Sequence, residues 1–287
     1  MITHPEKVMF PDDGITKGDL AEYYETVADV MVPHLRGRPI TMERFPSGLG
    51  AKGFLQKDVV KGFPAWLERV EAPKKGGTVH YPLAGDRRSL QWLANQNTIT
   101  MHVWPSRAPR IEKPDVCVFD LDPSRDEPEV LRDSALALRD LLLEHGVRSW
   151  VKTSGSKGFH IVTRLAPKAT FGDSSHFADL VANILVQRKP KHLTLEFSKA
   201  DRHGRILIDT GRNRQGATFA AAYTVRARPG APVSAPCTWE ELERGVVSPD
   251  TFTLRTMKER IDTVGDLWKD MRRRGRSLRR AAEKLVR

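Results

Sequence analysis

Residues 115–123 read DVCVFDLDP, and this segment constrains the chain more than any other. A strand alternates its side chains, so Asp120 and Asp122 share one face with Val116 and Val118, while Cys117, Phe119 and Leu121 point the other way. Two carboxylates thus emerge side by side where the strand ends at Pro123. Adjacent like charges are costly unless a cation sits between them, and paired oxygen ligands suit Mg²⁺ or Mn²⁺ rather than zinc. Asp-x-Asp before a proline also caps turns, so this segment alone leaves a metal site and a turn both open.

A third carboxylate with a similar setting closes RILIDT (205–210), where Asp209 ends a short apolar strand. Three strand-end carboxylates can hold two metals against a nucleotide; a cap, or a partner for the neighbouring Arg212, is the alternative for Asp209. Between these strands lies TSGSKGFH (153–160), a Gly- and Ser-rich turn. Gly155 and Gly158 permit close backbone approach, so amide N–H groups and the Ser154 and Ser156 hydroxyls can cradle phosphate, with Lys157 adding charge and His160 returning on the next strand. The spacing is not that of a Walker A loop. A hairpin with a polar turn is the plain alternative. His102, in the strand-like TITMHVW, carries no signal of its own, and Arg226 and Arg228 can serve a phosphate or a carboxylate.

The remaining pattern is that of an α/β protein. Strands are expected at 38–44, 98–104, 115–122, 149–153, 158–165 and 205–210, with helices over 129–145 and 174–187. An earlier helix starts from Thr16 as N-cap. A Pro-rich connection at 226–242 divides the chain into an N-terminal lobe (1–106), a catalytic lobe (107–228) and a C-terminal connection with a basic helical extension (229–287). In that extension Leu278, Ala281, Ala282 and Leu285 are spaced for one helical face.

Composition narrows the partners. The formal charge of +11 favours a polyanion, and +7 of it sits in the last twenty residues, which leaves +4 for the rest. The two cysteines, Cys117 and Cys237, have no Cys or His at ligand spacing, which argues against zinc and disulfides alike. No apolar run is long enough to span a bilayer and the N-terminus lacks signal-peptide character, so the expected location is the cytosol, at the nucleoid.

Several long segments in sequence, EKVMFPDDGITKGDLAEYY, RGRPITMERFPSG, LQWLANQNTITMHVW, VFDLDP, VKTSGSKGFH, ILIDTGRNRQGAT and AYTVRARPGAPVS, closely resemble the polymerase domain of bacterial ATP-dependent DNA ligase D, within the archaeo-eukaryotic primase superfamily. The resemblance covers roughly residues 6–254. It implies an α/β fold with a primase-type catalytic core, built on an RRM-like sheet, beside an N-terminal α/β lobe. It implies that Asp120, Asp122 and Asp209 ligate two Mn²⁺ or Mg²⁺ ions, and that Ser154, Lys157 and His160 hold the incoming triphosphate. Arg226, His102 and Arg44 then complete the nucleotide pocket. Lys7 and Lys17 correspond to residues that bind the 5′-phosphate across a gap, and Phe54 to an aromatic against the template. Two positions depart from the pattern: many relatives have Lys in place of Glu43, and a second aromatic in place of Leu55.

The implied activity is template-dependent addition of nucleotides, ribonucleotides by preference, to DNA 3′ ends at gaps or breaks. The implied partners are 5′-phosphorylated gapped or broken DNA, nucleoside triphosphates, and repair proteins such as a separate ligase or end-binding protein; no membrane is involved. The ligase and phosphoesterase modules of fused relatives are not in this sequence, which reads as a stand-alone paralogue. A de novo primase and a non-catalytic DNA-end or gap-binding module are the rival expectations, the latter having no need of all three aspartates.

Overall fold

The structure is a computed structural model that describes residues 2–74 and 76–272. The basic helical face expected around Leu278 to Leu285 lies outside the described residues. The chain divides into two compact units, neither of them continuous in sequence. Among the described residues, the first comprises 2–111, 218–235 and 252–266; the second comprises 112–217, 236–251 and 267–272. The grouping therefore differs from three consecutive lobes. The stretch after Arg228 contributes to both units because Val233–Ser234 pairs back onto Thr224–Val225, whereas Pro236–Cys237 adds a strand elsewhere.

The second unit is built on a six-stranded sheet in the order Leu193–Thr194, Ile206–Asp209, Val116–Asp122, Phe159–Arg164, Ser149–Thr153, Pro236–Cys237. Neighbours are antiparallel except the first two, which are parallel. The face carrying Cys117, Phe119 and Leu121 is dry. Phe119 meets Phe177 of the helix Phe171–Arg188 edge-on at 6.5 Å between ring centroids. Burial there pushes the Cys117 thiol up to about 12, so this cysteine behaves as a small apolar residue, as its place in the strand suggests.

The expected helices form one to three residues wider or shifted, at Pro128–Glu144 and Phe171–Arg188. Thr170 starts the second with a capping box: its hydroxyl accepts from the Asp173 N–H while the Asp173 carboxylate accepts from the Thr170 N–H.

The first unit holds a four-stranded sheet in the order Phe219–Ala220, Thr98–Val103, Ile40–Arg44, Phe54–Gln56. Thr16 does cap a helix, through a capping box with Asp19. That helix ends at Thr26, and a second runs from Ala28 to Leu35. The β-branched pair Thr26 and Val27 falls at the break, where Val27 adopts φ −87°, ψ 0°. The hairpin Arg69–Lys74 with Gly77–Pro82 and the helix Arg87–Asn95, capped by Asp86, add to the expected elements. Among the described residues, no helix is long and apolar enough to cross a membrane.

Candidate active site

The decisive feature of the second unit is its strand register. Asp120 lies opposite Asp209 on one side and His160 on the other, and His160 lies opposite Lys152. Directly opposed residues in antiparallel strands share a face. A single row therefore runs Asp209, Asp120, His160, Lys152 across four strands, with Asp122 one step along on the same face. The sheet thus brings together the three predicted carboxylates and the predicted histidine. It adds Lys152, which is fully buried and which no sequence pattern singled out, because VKT reads as an ordinary strand end.

Charge in this row is crowded. Burial raises the pKa of Asp120, Arg212 offsets part of that, Asp209 and Asp122 raise it again and Lys152 lowers it; the net shift is upward. The Arg212 guanidinium bridges the row, with Nε 3.2 Å from Asp120 Oδ2 and Nη2 3.2 Å from Asp209 Oδ2. His160 Nε2 stands 3.5 Å from Asp120 Oδ1. Asp122 is held by the buried Arg202, whose Nη1 donates to Oδ2 at 2.9 Å. Asp209 also accepts from the Gly211 N–H at 2.8 Å, as a turn cap would. The alternative reading of Asp209, a cap and a partner for Arg212, is thus realised alongside its place in the row.

Among the described residues, no three His, Cys, Asp or Glu side chains converge as a ready-made metal cage. The donor chemistry nonetheless fits a hard divalent ion. Three carboxylates share a face, and the cost of their mutual repulsion is visible on Asp120.

The loop at 153–160 is braced from within. Ser154 Oγ accepts the N–H groups of Ser156 and Gly158, each at 3.1 Å, and the Gly155 N–H donates to Pro249 O at 3.0 Å. Three of the amides expected to cradle phosphate are therefore turned inward, two of them onto Ser154 and that of Gly155 onto Pro249. Gly155 adopts φ +63°. Gly158 sits so close to the central strand that a Cβ there would fall 1.7 Å from Leu121 O. Ser156 and Lys157 instead line a cavity of about 550 Å³ together with Ser124, Arg125, Ser248 and Asp250, among others.

The other predicted residues lie in the first unit. His102 Nε2 is 3.2 Å from Glu43 Oε2. Burial pushes the Glu43 carboxyl up, but the hydrogen bond and charge of His102, the Thr100 hydroxyl and the Arg226 charge together pull it below the usual range. Glu43 therefore holds His102 at hydrogen-bond distance and feels the charge of Arg226. Arg44 donates to Gln96 O at 2.7 Å and Gln56 Oε1 at 2.6 Å, and lies 5.5 Å from the centroid of Phe54, its cross-strand partner. Phe54 and Leu55 are both exposed.

Lys7 and Lys17 are linked through their backbones. The Lys17 N–H donates to Lys7 O at 2.7 Å. The Lys17 side chain is almost fully buried and donates through Nζ to Thr3 O at 2.7 Å, and Lys7 Nζ donates to Pro46 O. Burial lowers the Lys17 pKa first, and the charges of Lys7 and Arg44 lower it further.

Against known proteins, residues 16–268 match the family described as LigD, primase-polymerase domain. The chain belongs to the LigD primase-polymerase family. It is 36% identical over 276 residues to the multifunctional non-homologous end joining protein LigD of Mycolicibacterium smegmatis, covering 93% of this chain and 35% of that protein. The LigD of Pseudomonas aeruginosa is 33% identical over 276 residues, covering 94% of this chain and 32% of that protein. The bifunctional LigD of Bacillus subtilis is 30% identical over 265 residues, covering 92% and 42%. The chain thus spans about a third of the length of the first two.

The fold superimposes on the polymerase domain of Mycobacterium tuberculosis ligase D, solved in complex with DNA, with a TM-score of 0.90 and 33% identity. That match covers 94% of this chain and 97% of that one. Within this family fold, the functional-looking residues that sequence reading missed are Lys152 and Arg202, together with the bridging position of Arg212. Arg202 and Arg212 flank the ILIDT strand and were readable as basic, but only the register shows which carboxylates they meet.

Proposed function

We propose that this chain is a template-dependent nucleotidyltransferase that adds nucleotides, ribonucleotides by preference, to DNA 3′ ends at short gaps or breaks during end joining in the cytoplasm. The observation that carries this reading is the row of Asp209, Asp120 and His160, with Asp122 beside it, on one face of the sheet in a chain of this family. Asp120, Asp122 and Asp209 would hold two Mn²⁺ or Mg²⁺ ions, which supply activation of the primer 3′-hydroxyl and charge neutralisation of the triphosphate.

The chain's own groups do the positioning. Ser154 keeps the loop in shape, so that Lys157 and His160 present fixed charge and hydrogen-bonding capacity to the phosphates. Arg212 shields the carboxylates from one another until a divalent cation takes over that task. In the first unit, Lys7 and Lys17 form a cation pair suited to a terminal phosphate, Phe54 offers a ring to the template, and His102 and Arg226 act on Glu43 in the nucleotide pocket, with Arg44 on the adjacent strand position.

Primer extension on a gapped template, with and without a downstream 5′-phosphate and with ATP or dATP opposite template T, tests the reading. Incorporation that needs a 3′ end, is stimulated by the 5′-phosphate, favours ATP and runs better with Mn²⁺ than Mg²⁺ is the expected result. Synthesis from nucleotides alone would instead make the chain a de novo primase. One observation favours a non-catalytic gap-binding module: Arg212 and Arg202 already neutralise the carboxylates. Tight gap binding with no incorporation under any of these conditions would select it.

A further inference from the structure

Phe197 is the most exposed large apolar side chain among the described residues, at 78%, and Leu195 two positions before it is 40% exposed. Both follow the edge strand Leu193–Thr194 of the catalytic sheet. A protruding ring on a frayed loop would mean little, but this backbone is held. The Thr194 hydroxyl accepts from the Glu196 N–H at 3.1 Å, and the buried Arg202 donates to Glu196 O at 3.1 Å and Phe197 O at 2.9 Å. The same guanidinium donates to Asp122 Oδ2 at 2.9 Å. The Phe197 backbone is therefore two hydrogen bonds and one guanidinium away from a carboxylate of the proposed active site, while its ring stands in water.

The segment that carries Leu195 and Phe197 is basic in sequence, although Arg202 is buried on Asp122 and Arg188 pairs with Glu144. Residues 188–205 contain six Lys or Arg and two acidic residues. Exposed aromatic surface set in positive charge is the combination that binds single-stranded nucleic acid, because every base offers a π-face and every linkage a phosphate.

We infer that Leu195 and Phe197 form a stacking platform for an unpaired base of the nucleic-acid strand whose end is presented to Asp120, Asp122 and Asp209. The inference rests on the polymerase reading above and assigns that site a contact to the base that the carboxylates, which serve metal and phosphate chemistry, do not provide. The apolar ring makes the contact tolerant of base identity, and its fixed backbone limits the ordering lost on binding.

The test uses the full chain and a gapped duplex carrying 2-aminopurine at the unpaired position next to the primer terminus, whose fluorescence falls on stacking. The wild type quenches the probe; Phe197→Ala removes most of the quench and weakens gap binding about tenfold, as loss of one base–aromatic stack implies. Phe197→Trp restores both, which a merely structural side chain would not. An unchanged quench in Phe197→Ala, in a preparation whose wild type extends primers, overturns the platform and leaves the polymerase reading standing. A wild type that neither binds nor extends gapped DNA overturns both. A dimer that Phe197→Ala converts to monomer, by light scattering, assigns the face to self-association and overturns the inference.

Discussion

The two units solve the same electrostatic problem in opposite ways. In the second, three carboxylates are crowded on a sheet face and are already partnered by Arg212 and Arg202. In the first, burial lowers the Lys17 pKa and the charges of Lys7 and Arg44 lower it further, yet the two lysines rest on neutral oxygens of Thr3 and Pro46, with Glu6 acting on Lys17 as a weaker counter-charge. A ligand arriving at the carboxylates must displace a built-in cation, whereas among the described residues no carboxylate pairs with the two lysines for an anion to displace. The carboxylate site is suited to discriminate between cations by how well they replace a guanidinium. Under the proposed function, the lysine site would capture a phosphate without such an exchange.

The strongest way to break this comparison is to remove a carboxylate. Asp120→Ala or Asp122→Ala should each lower nucleotide addition by at least about 10³-fold, as loss of a metal clamp does, while gap binding by titration stays near wild type. Near-normal extension by either variant would show that the row is only an ion-pair network.

Next in size is a backbone effect. Gly158→Ala would place a methyl group 1.7 Å from Leu121 O, so the loop or the central strand must shift. A loss of roughly 2–4 kcal/mol in denaturant unfolding is expected, with incorporation falling alongside it. A stability unchanged from wild type would mean the loop moves freely, and then Ser154 does not brace it.

On the cationic side, Lys7→Ala with Lys17→Ala should erase the binding difference between 5′-phosphorylated and unphosphorylated gaps. The log–log salt slope should flatten by roughly 0.7–0.9 for each phosphate charge that the protein no longer neutralises. Retained discrimination at fixed salt would make these lysines an ordinary solvated face.

The smallest effect concerns Glu43. Its carboxyl is held below the usual range, so it contributes stability that is present above its unfolded value near 4.5 and is lost as pH falls through the depressed folded value. The gap in stability between wild type and Glu43→Gln should therefore be constant at neutral pH and close on acidification below 4.5. A gap that stays open in acid would show that the side chain acts through packing, not through the charges of His102 and Arg226.

Much of this molecule is legible in the sequence, for local reasons. Period-two alternation puts Asp120 and Asp122 on one face. Thr16 marks a helix start, and the Gly- and Ser-rich run at 153–160 marks a turn between strands. Each of these depends on residues within a few positions of one another, where propensity and sterics act directly. The break at Val27 is not legible, since the apolar pattern continues through it. Nor is the inward turn of the loop amides, which depends on where the Ser154 hydroxyl points.

What only the tertiary structure decided is who faces whom across strands distant in sequence. The alignment of Asp209, Asp120, His160 and Lys152 is set by register, and register follows from packing the Phe119 face against a helix and the Gly158 backbone against Leu121. The pairing of Arg202 with Asp122, and of Arg212 with two aspartates, has the same origin. Sequence determined the chemistry of the groups because composition and local periodicity carry it. The fold determined their partners, because Coulombic and hydrogen-bond energies depend on distances that no single strand contains.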